Sequence, residues 1–250
     1  MGEKLSVWHA GELALQQQAG VAERMAEVGQ RVIRDYMPDQ HRDFYAQLPF
    51  IVVGSVDKQG DVWATLLEGQ PGFIFSPNAT MLDIAARPDA SDPAAEGITD
   101  GATVGLLGIE LHTRRRNRMN GVLSAIGDGF RVQVMQSFGN CPRYIQLRDF
   151  RFAHLPGQPF HGEVEQMSTL DEAARSTIAS ADAFYVASYN PQGVDASHRG
   201  GKPGFVRVSD DGLLTIPDFN GNLFFSTLGN IHQNGKAGLL FVDYRSGDTL

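Results

Sequence analysis

Residues 51–74, IVVGSVDKQGDVWATLLEGQPGFI, return in altered form as residues 184–206, FYVASYNPQGVDASHRGGKPGFV. The tripeptide Pro71-Gly72-Phe73 matches Pro203-Gly204-Phe205 at an offset of 203 − 71 = 132. A repeat this far apart indicates a duplicated domain and argues against a short-period solenoid. Two copies of one fold can pack as a pseudo-dimer and form sites where they meet.

A second match extends the repeat. GLLGIE at 105–110 corresponds to GLLFVD at 238–243, an offset of 238 − 105 = 133. The first copy continues past Leu111 for two or three more predicted strands, whereas the second reaches the equivalent position at Tyr244 and stops at residue 250. By this logic roughly 40 residues of the second copy are missing. We expect the natural protein to continue; a naturally shortened copy is the alternative.

Composition narrows the class of protein. The 250 residues are 42% hydrophobic and 20% charged, which is ordinary for a globular protein, and the sequence has no apolar run approaching the ~18 residues of a membrane span. The N-terminus has the pattern of neither a signal peptide nor a transit peptide. The single cysteine, Cys141, rules out an intramolecular disulfide and suggests the cytoplasm. A net charge of −8 makes general nucleic-acid binding the least favoured function.

Hydrophobic spacing predicts one helix over residues 10–36 and a shorter one beginning at Asp39. From Pro49 onward, short β-branched and aromatic runs alternate with turn residues, which is typical of a small barrel or sandwich. Another helix should begin at Ser168, before the second copy.

The predicted organisation is therefore mainly β with helices (α+β), built as tandem barrels. We divide the chain into four segments: an N-terminal helical segment at 1–38, a first barrel at 39–152, a linker at 153–167, and a second, apparently incomplete barrel at 168–250.

Several motifs resemble the FMN-binding split barrels of the pyridoxamine 5′-phosphate oxidase superfamily. They are, in chain order, WHAGELALQQQAGV at 8–21, HTRRRNRMNG at 112–121, QSFGNCPRYIQ at 136–146, GKPGFVRV at 201–208 and IPDFNGNLFFSTLGNIHQNGKAGLLFVDY at 216–244. Each motif alone is weak evidence for the resemblance, but together, and in this order, the motifs extend over almost the whole chain. The resemblance implies tandem split barrels, FMN as cofactor, and a small-molecule substrate. Some long relatives carry this unit ahead of a ferredoxin-reductase-like portion, which implies such a portion as an electron donor, attached or separate.

The run Arg114-Arg115-Arg116-Asn117-Arg118 is the first candidate for cofactor binding, because arginine offers a planar fork of donors to phosphate. On a strand, Arg114, Arg116 and Arg118 would share one face, and Arg115 and Asn117 the other. The resemblance gives Arg116 the role of a polar partner of FMN. A solvated, charged edge strand is the alternative.

The second copy supplies further candidates, because it carries polar residues where the first copy does not. Ser197, His198 and Arg199 replace Thr65, Leu66 and Leu67, and Arg207 replaces Phe75. The resemblance also points to the strand and turn containing Ser226, Thr227 and Asn230 as the phosphate site. The Arg-Lys pair frequent in the superfamily is absent; Ile231-His232 stands there instead. As alternatives, Ser226 and Thr227 could be ordinary strand residues and His198 a surface histidine.

Asn140 and Arg143 are the candidates on the substrate side, since relatives bring a similar Pro-Arg stretch near the substrate. Cys141 beside them is more typical of a buried small side chain than of a reactive thiol. No metal-ligand spacing appears among the seven histidines, and we identify no catalytic base.

The leading hypothesis is an FMN-dependent oxidoreductase with unknown substrate. One alternative is a non-catalytic cofactor-binding or electron-relay module of a larger reductase. Another is haem binding through His198 or His232. We expect no membrane partner, and a homodimer is an option that the internal repeat could replace.

Overall fold

The computed structural model describes residues 6–152, 154–156, 158 and 162–250. The helices are α1 Ala10–Gln18, α2 Ala22–Val32, α3 Asp39–Ala46, α4 Glu172–Ser180 and α5 Ser226–Asn234, with a 3-10 helix at Pro93–Gly97. The strands are β1 Phe50–Val56, β2 Val62–Glu68, β3 Ile74–Asn78, β4 Met81–Ile84, β5 Thr103–Glu110, β6 Arg115–Ile126, β7 Gly129–Gly139, β8 Ala183–Asn190, β9 Gly193–Gly200, β10 Arg207–Val208, β11 Leu214–Thr215 and β12 Gly238–Leu240.

The strands form three antiparallel sheets. The first copy makes a seven-stranded sheet in the order β2-β1-β5-β6-β7-β4-β3; the second makes a three-stranded sheet, β12-β8-β9, and a hairpin, β10-β11. The outer strands of the large sheet, β2 and β3, do not pair with each other within the described residues, so this sheet is not a closed barrel. The predicted fold class, mainly β with a few helices, is confirmed.

The two copies share not only sequence but also strand register. In the first copy Val52 pairs with Leu107; in the second Tyr185 pairs with Leu240. Both members differ by the same offset, since 52 + 133 = 185 and 107 + 133 = 240. The bridge between Val242 and Thr249 likewise corresponds to the pair Ile109 and Arg116. The repeated sequence therefore folds twice into the same pairing.

Each copy has its own apolar core, and a third cluster joins them. That cluster combines Val52, Leu107 and Ile109 with Tyr185 and Leu240. It buries apolar area that either copy alone would expose to water.

The contact between the copies is reciprocal and very close. A Cβ on Gly105 would lie 2.6 Å from the backbone nitrogen of Ala196 on β9. Its repeat equivalent, Gly238, would collide with the backbone of Val62 on β2. Each copy thus presents a glycine to the other's hairpin, as expected for a pseudo-two-fold arrangement.

The helical predictions require correction. The predicted helix over 10–36 is two helices, because Gly20 adopts a positive φ of 67° and ends α1 in a turn. Helix α4 begins at Glu172 with Asp171 as its cap, not at Ser168. Parts of the N-terminal segment (residues 1–5) and of the linker (153, 157 and 159–161) lie outside the described residues.

Two further corrections affect the site. Leu223-Phe224-Phe225 and the residues after it do not form a strand; the chain enters α5 at Ser226. Within the GKPGFVRV motif at 201–208, only the two residues of β10 form a strand. None of the described helices is long and apolar enough to cross a membrane.

Candidate functional site

A cleft of about 240 Å³ opens where the two copies meet. The first copy contributes part of β6 and the segment after β7. The second copy contributes the end of β9, residues 217–225 and the first turn of α5. Its volume lies just below the ~300–1,000 Å³ typical of small-molecule pockets.

Nine of the twelve residues predicted as site residues line this cleft: Arg116, Arg118, Asn140, Arg143, Ser197, His198, Arg199, Ser226 and Thr227. They come from four separate stretches of sequence that the fold brings together. The cleft therefore gathers residues that the sequence singled out on separate grounds: the arginine run, the superfamily resemblance and the differences between the copies.

Three predicted site residues do not line the cleft. Asn117 belongs to the opposite face of β6, as strand alternation requires. Arg207 is exposed on β10, where its Nη2 lies 3.4 Å from the Thr215 hydroxyl. Asn230 is buried on α5 and hydrogen-bonds within the second copy, to Asn190 and Ser188.

The arginine run divides between the cleft and its surroundings. Arg114 precedes β6 with a φ of 61° and is exposed, so it does not share a strand face with Arg116 and Arg118 as predicted. Arg115 lies over the ring of Phe44 instead. Arg118 forms a buried ion pair with Asp195 on β9, joining the two copies at the floor of the cleft.

Arg116 is held by two neighbours. Its Nη2 donates to the carbonyl oxygen of Cys141 at 2.5 Å, and its Nη1 lies 3.5 Å from Nδ1 of His198. Burial and the nearby charge of Arg118 lower the pKa of Arg116 to about 10, so the side chain remains a cation at neutral pH. This cation is largely removed from water, which strengthens its interaction with an anion.

His198 is a neutral hydrogen-bond donor at this site. Burial, together with the charges of Arg116, Arg148 and Arg199, lowers its pKa to about 3. Because Arg116 can only donate, this contact favours the tautomer in which Nδ1 of His198 accepts and Nε2 carries the ring proton. The side chain is only 5% exposed. His198 is therefore buried, and the alternative that it is a surface histidine was wrong.

The first turn of α5 forms one end of the cleft. No side chain caps this helix, because its N-cap residue is Phe225, which has no side-chain acceptor; the backbone there is left-handed, with φ 62°. The amide groups of Ser226, Thr227 and Leu228 are therefore left for another acceptor, and the helix dipole favours a negative charge there. The residues singled out as a phosphate site are thus on a helix N-terminus.

The opposite rim is aromatic. Tyr144 and Phe219 stack with ring centroids 5.2 Å apart, and the Tyr144 hydroxyl donates to the carbonyl oxygen of Asn220 at 3.0 Å. Arg199 forms an ion pair with Asp218 at 2.5 Å on the same side. Tyr144 and Phe219 were not among the predicted site residues, although both lie within the motifs that carry the superfamily resemblance.

Besides Nε of Arg118, whose Nη2 is paired with Asp195, three buried nitrogen donors at the cleft have no hydrogen-bond partner among the described residues: Nε of Arg116, Nδ2 of Asn140 and Nε2 of His198. The orientation of Asn140 follows from its neighbour. Asn222 accepts from the amide of Phe224, so its Nδ2 donates to Oδ1 of Asn140 at 3.0 Å. Because a buried unpaired donor is costly, the three together indicate a ligand rich in acceptors.

Metal binding has no such support. In the part of the chain that the structure describes, no group of three or more His, Cys, Asp or Glu residues is placed to hold an ion.

Comparisons with known proteins give only weak similarity. No protein-family model matches the chain, and no curated protein matches it in sequence. Among solved structures, HupZ of Group A Streptococcus is 9% identical with a TM-score of 0.33, covering 41% of this chain and 93% of its own. A protein assigned as a pyridoxamine 5′-phosphate oxidase from Lactobacillus delbrueckii is 11% identical with a TM-score of 0.33, covering 42% and 95%. Scores this low establish no function.

Proposed function

We propose that the protein binds FMN in the cleft between its two copies and acts as an FMN-dependent oxidoreductase. The observation that carries the proposal is the set of three unpartnered buried donors, on Arg116, Asn140 and His198. They face a cleft whose other end is an uncapped helix N-terminus. FMN combines a phosphate dianion with a ring edge rich in acceptors, and both parts match donors that are present.

The residues divide by role. The amides of Ser226 and Thr227 would hold the phosphate, with Arg116 supplying a buried positive charge. His198 would donate its Nε2 proton to a ring acceptor, and Asn140 its amide protons. Bound FMN would supply the redox chemistry, while these donors orient it and stabilise negative charge on its ring.

A non-catalytic cofactor-binding or relay module is the second candidate. A general acid or base should have a pKa near the working pH, and the pKa of His198, about 3, is far below it. The absence of the Arg-Lys pair after the turn also favours a non-catalytic module. Turnover of amines or nicotinamide cofactors by the purified protein separates the two functions.

Haem binding finds less support in the geometry. An axial imidazole needs an unprotonated nitrogen facing iron, and ligation through Nε2 of His198 would place the ring proton on Nδ1, against the Arg116 donor 3.5 Å away. His232 is exposed on α5 and does not line the cleft. A Soret absorption band in the purified protein would nevertheless overturn this ranking.

The partners remain proposals. A ferredoxin-reductase-like donor, attached or separate, would suit an open cleft with an exposed aromatic rim. A cytoplasmic location is proposed from the single cysteine.

The test is an FMN titration followed by flavin fluorescence and by the ultraviolet–visible spectrum. Arg116→Ala should weaken FMN binding about 10- to 100-fold, because a charge-assisted hydrogen bond contributes about 1.5–3 kcal/mol. Arg207→Ala is the matched control: it removes an arginine of the same copy-specific set that lies outside the cleft, and should change the affinity less than twofold. Equal effects of the two substitutions, or no FMN binding by the wild type, would refute the proposal.

A further inference from the structure

We propose that helix α1 is part of the anion site and that Glu12 is its positioning residue: α1 holds the first turn of α5 in place, and ionisation of Glu12 weakens binding of an anionic ligand there. The inference rests on the proposed function for the identity of the ligand. It concerns residues of the N-terminal segment that do not line the cleft.

Helices α1 and α5 are in contact through glycines. A Cβ on Gly11 would collide with the carbonyl oxygen of Gly229, and one on Gly229 would lie 2.7 Å from the amide nitrogen of Glu12. The two backbones therefore meet with no side chain between them. Such packing leaves α5 little freedom to shift without moving α1.

Two more contacts hold the segment that leads into α5. Gln16 is fully buried, and its Nε2 donates to the carbonyl oxygen of Phe224 at 3.2 Å. The rings of Trp8 and Phe224 lie 4.9 Å apart between centroids. Trp8 is itself held to α2, since its Nε1 donates to the carbonyl oxygen of Met25 at 2.9 Å.

The segment needs this support because its backbone is strained. Leu223 and Phe225 have φ values of 65° and 62°, in the left-handed region that non-glycine residues seldom occupy. Such a residue is unfavourable and persists only where the surrounding structure enforces its conformation. The contacts from α1 enforce the conformation that leaves the first amides of α5 uncapped.

Glu12 lies at the centre of this contact and is 6% exposed. Its carboxylate accepts from the amide of His9 at 3.1 Å and lies beside the Ser226 side chain, at the first residue of α5. The other charged groups that face it are Asp195 on β9 and Arg118 on β6, which form a buried pair. His9, whose own pKa is lowered by burial, completes the set.

Burial raises the pKa of Glu12 to about 7, despite the hydrogen bonds that favour its charged form. Glu12 is therefore protonated below pH 7 and negative above it. A negative charge beside the first residue of α5 opposes a second negative charge in the cleft. By linkage, a bound anion must raise the pKa of Glu12 further, and the affinity for the anion must fall as pH rises.

The test is the dissociation constant of FMN between pH 6 and 8.5 for the wild type, Glu12→Gln and the control Glu23→Gln, which alters an exposed carboxylate on α2. The ratio of wild-type to Glu12→Gln constants cancels the ligand's own phosphate ionisation. We expect this ratio to be near one at pH 6 and to rise to roughly tenfold at pH 8.5, a coupling of ordinary size. The ratio for Glu23→Gln should stay near one.

Gly11→Ala tests the docking independently. It should weaken FMN binding at every pH, whereas Gly139→Ala, where a Cβ has room, should not. A constant ratio for Glu12→Gln would overturn the inference and leave the proposed function standing. If FMN does not bind at all, the proposed function fails, and inorganic phosphate becomes the probe: the same rising ratio would still support the role of Glu12, and absence of phosphate binding would overturn it too.

Discussion

His198 is uncharged across the whole range in which most proteins are handled, because it is buried among arginines and its pKa is about 3. In the unfolded chain the same imidazole would titrate near 6.5. Between these two values the unfolded state binds a proton that the folded state does not. This difference makes the folded protein lose stability as pH falls from about 6.5 towards 3.

Replacing His198 with glutamine should remove that contribution. The wild type should lose more free energy of unfolding than His198→Gln when the pH is lowered from 7 to 4.5, measured by urea denaturation. His112→Gln is the control, since His112 is largely exposed. Glu12, which is present in all three proteins, has the opposite effect on stability: its raised pKa stabilises the fold at low pH, and that contribution is lost as pH rises towards 7. Parallel curves for the wild type and His198→Gln would contradict the expected acid effect.

At the scale of single residues, the sequence named most of the residues that line the candidate cleft but not their contacts. The difference between the copies singled out Ser197, His198 and Arg199, which line the cleft, and their role in binding stays a prediction. It could not show that Arg207 lies outside the cleft, because only the fold decides which strand faces the seam. Nor could it identify the aromatic rim, since Tyr144 and Phe219 meet through contacts between distant parts of the chain.

Helix α5 is anchored to β8 by a buried amide. Asn190 donates to Oδ1 of Asn230 at 2.6 Å, and Asn230 donates to the hydroxyl of Ser188 at 3.0 Å. The repeat equivalent of Ser188 is Ser55, since 188 − 133 = 55. That hydroxyl donates to the carbonyl oxygen of Ala94 in the 3-10 helix. The two equivalent serines thus bind different elements: Ser55 bonds to the 3-10 helix, and Ser188 bonds to α5.

Asn230→Ala should destabilise the protein by about 2–3 kcal/mol, because it leaves two buried polar groups without their partner. His232→Ala, at an exposed position of the same helix, should change the stability by less than 0.5 kcal/mol. Thermal and urea unfolding measure both. A small effect of Asn230→Ala on stability, together with a direct loss of FMN affinity, would restore the original prediction that Asn230 contacts the cofactor.

Elements were predicted well where periodicity was strong and poorly where it was interrupted. The short strands of the first copy follow their β-branched runs closely. The predicted helix over 10–36 failed at Gly20, where apolar spacing continues through a turn. The strand expected before Ser226 failed because an aromatic run favours β-structure by propensity, while contacts from α1 impose left-handed residues there.

At the scale of the whole molecule, the duplication was the strongest signal in the sequence, and the strand register repeats it residue for residue. The sequence could not supply the mutual orientation of the copies, because that depends on side-chain packing across the seam. The division into domains around residues 153–167 stays a prediction.

The close contact between the two copies predicts that they unfold together. Gly105→Ala should destabilise the molecule by about 1–3 kcal/mol, since the added methyl group meets the backbone of Ala196 and cannot be accommodated by a side-chain movement. Gly139→Ala is again the matched control. Calorimetry should show one unfolding transition that moves as a whole. Two separate transitions, with only one of them shifted, would mean that the copies unfold independently.

The matching register also bears on how such a site could arise. Joining two copies in one chain gives every residue an equivalent in the other copy. Natural selection can then keep one residue of each pair for folding while the other changes to a different amino acid. His198 stands opposite Leu66 in the repeat, and Arg116 opposite Thr249. A symmetric ancestor with two equal clefts would in this way become a protein with one specialised cleft. The 3-10 helix that Ser55 contacts in the first copy and α5, which Ser188 contacts in the second, show how far the two copies have diverged.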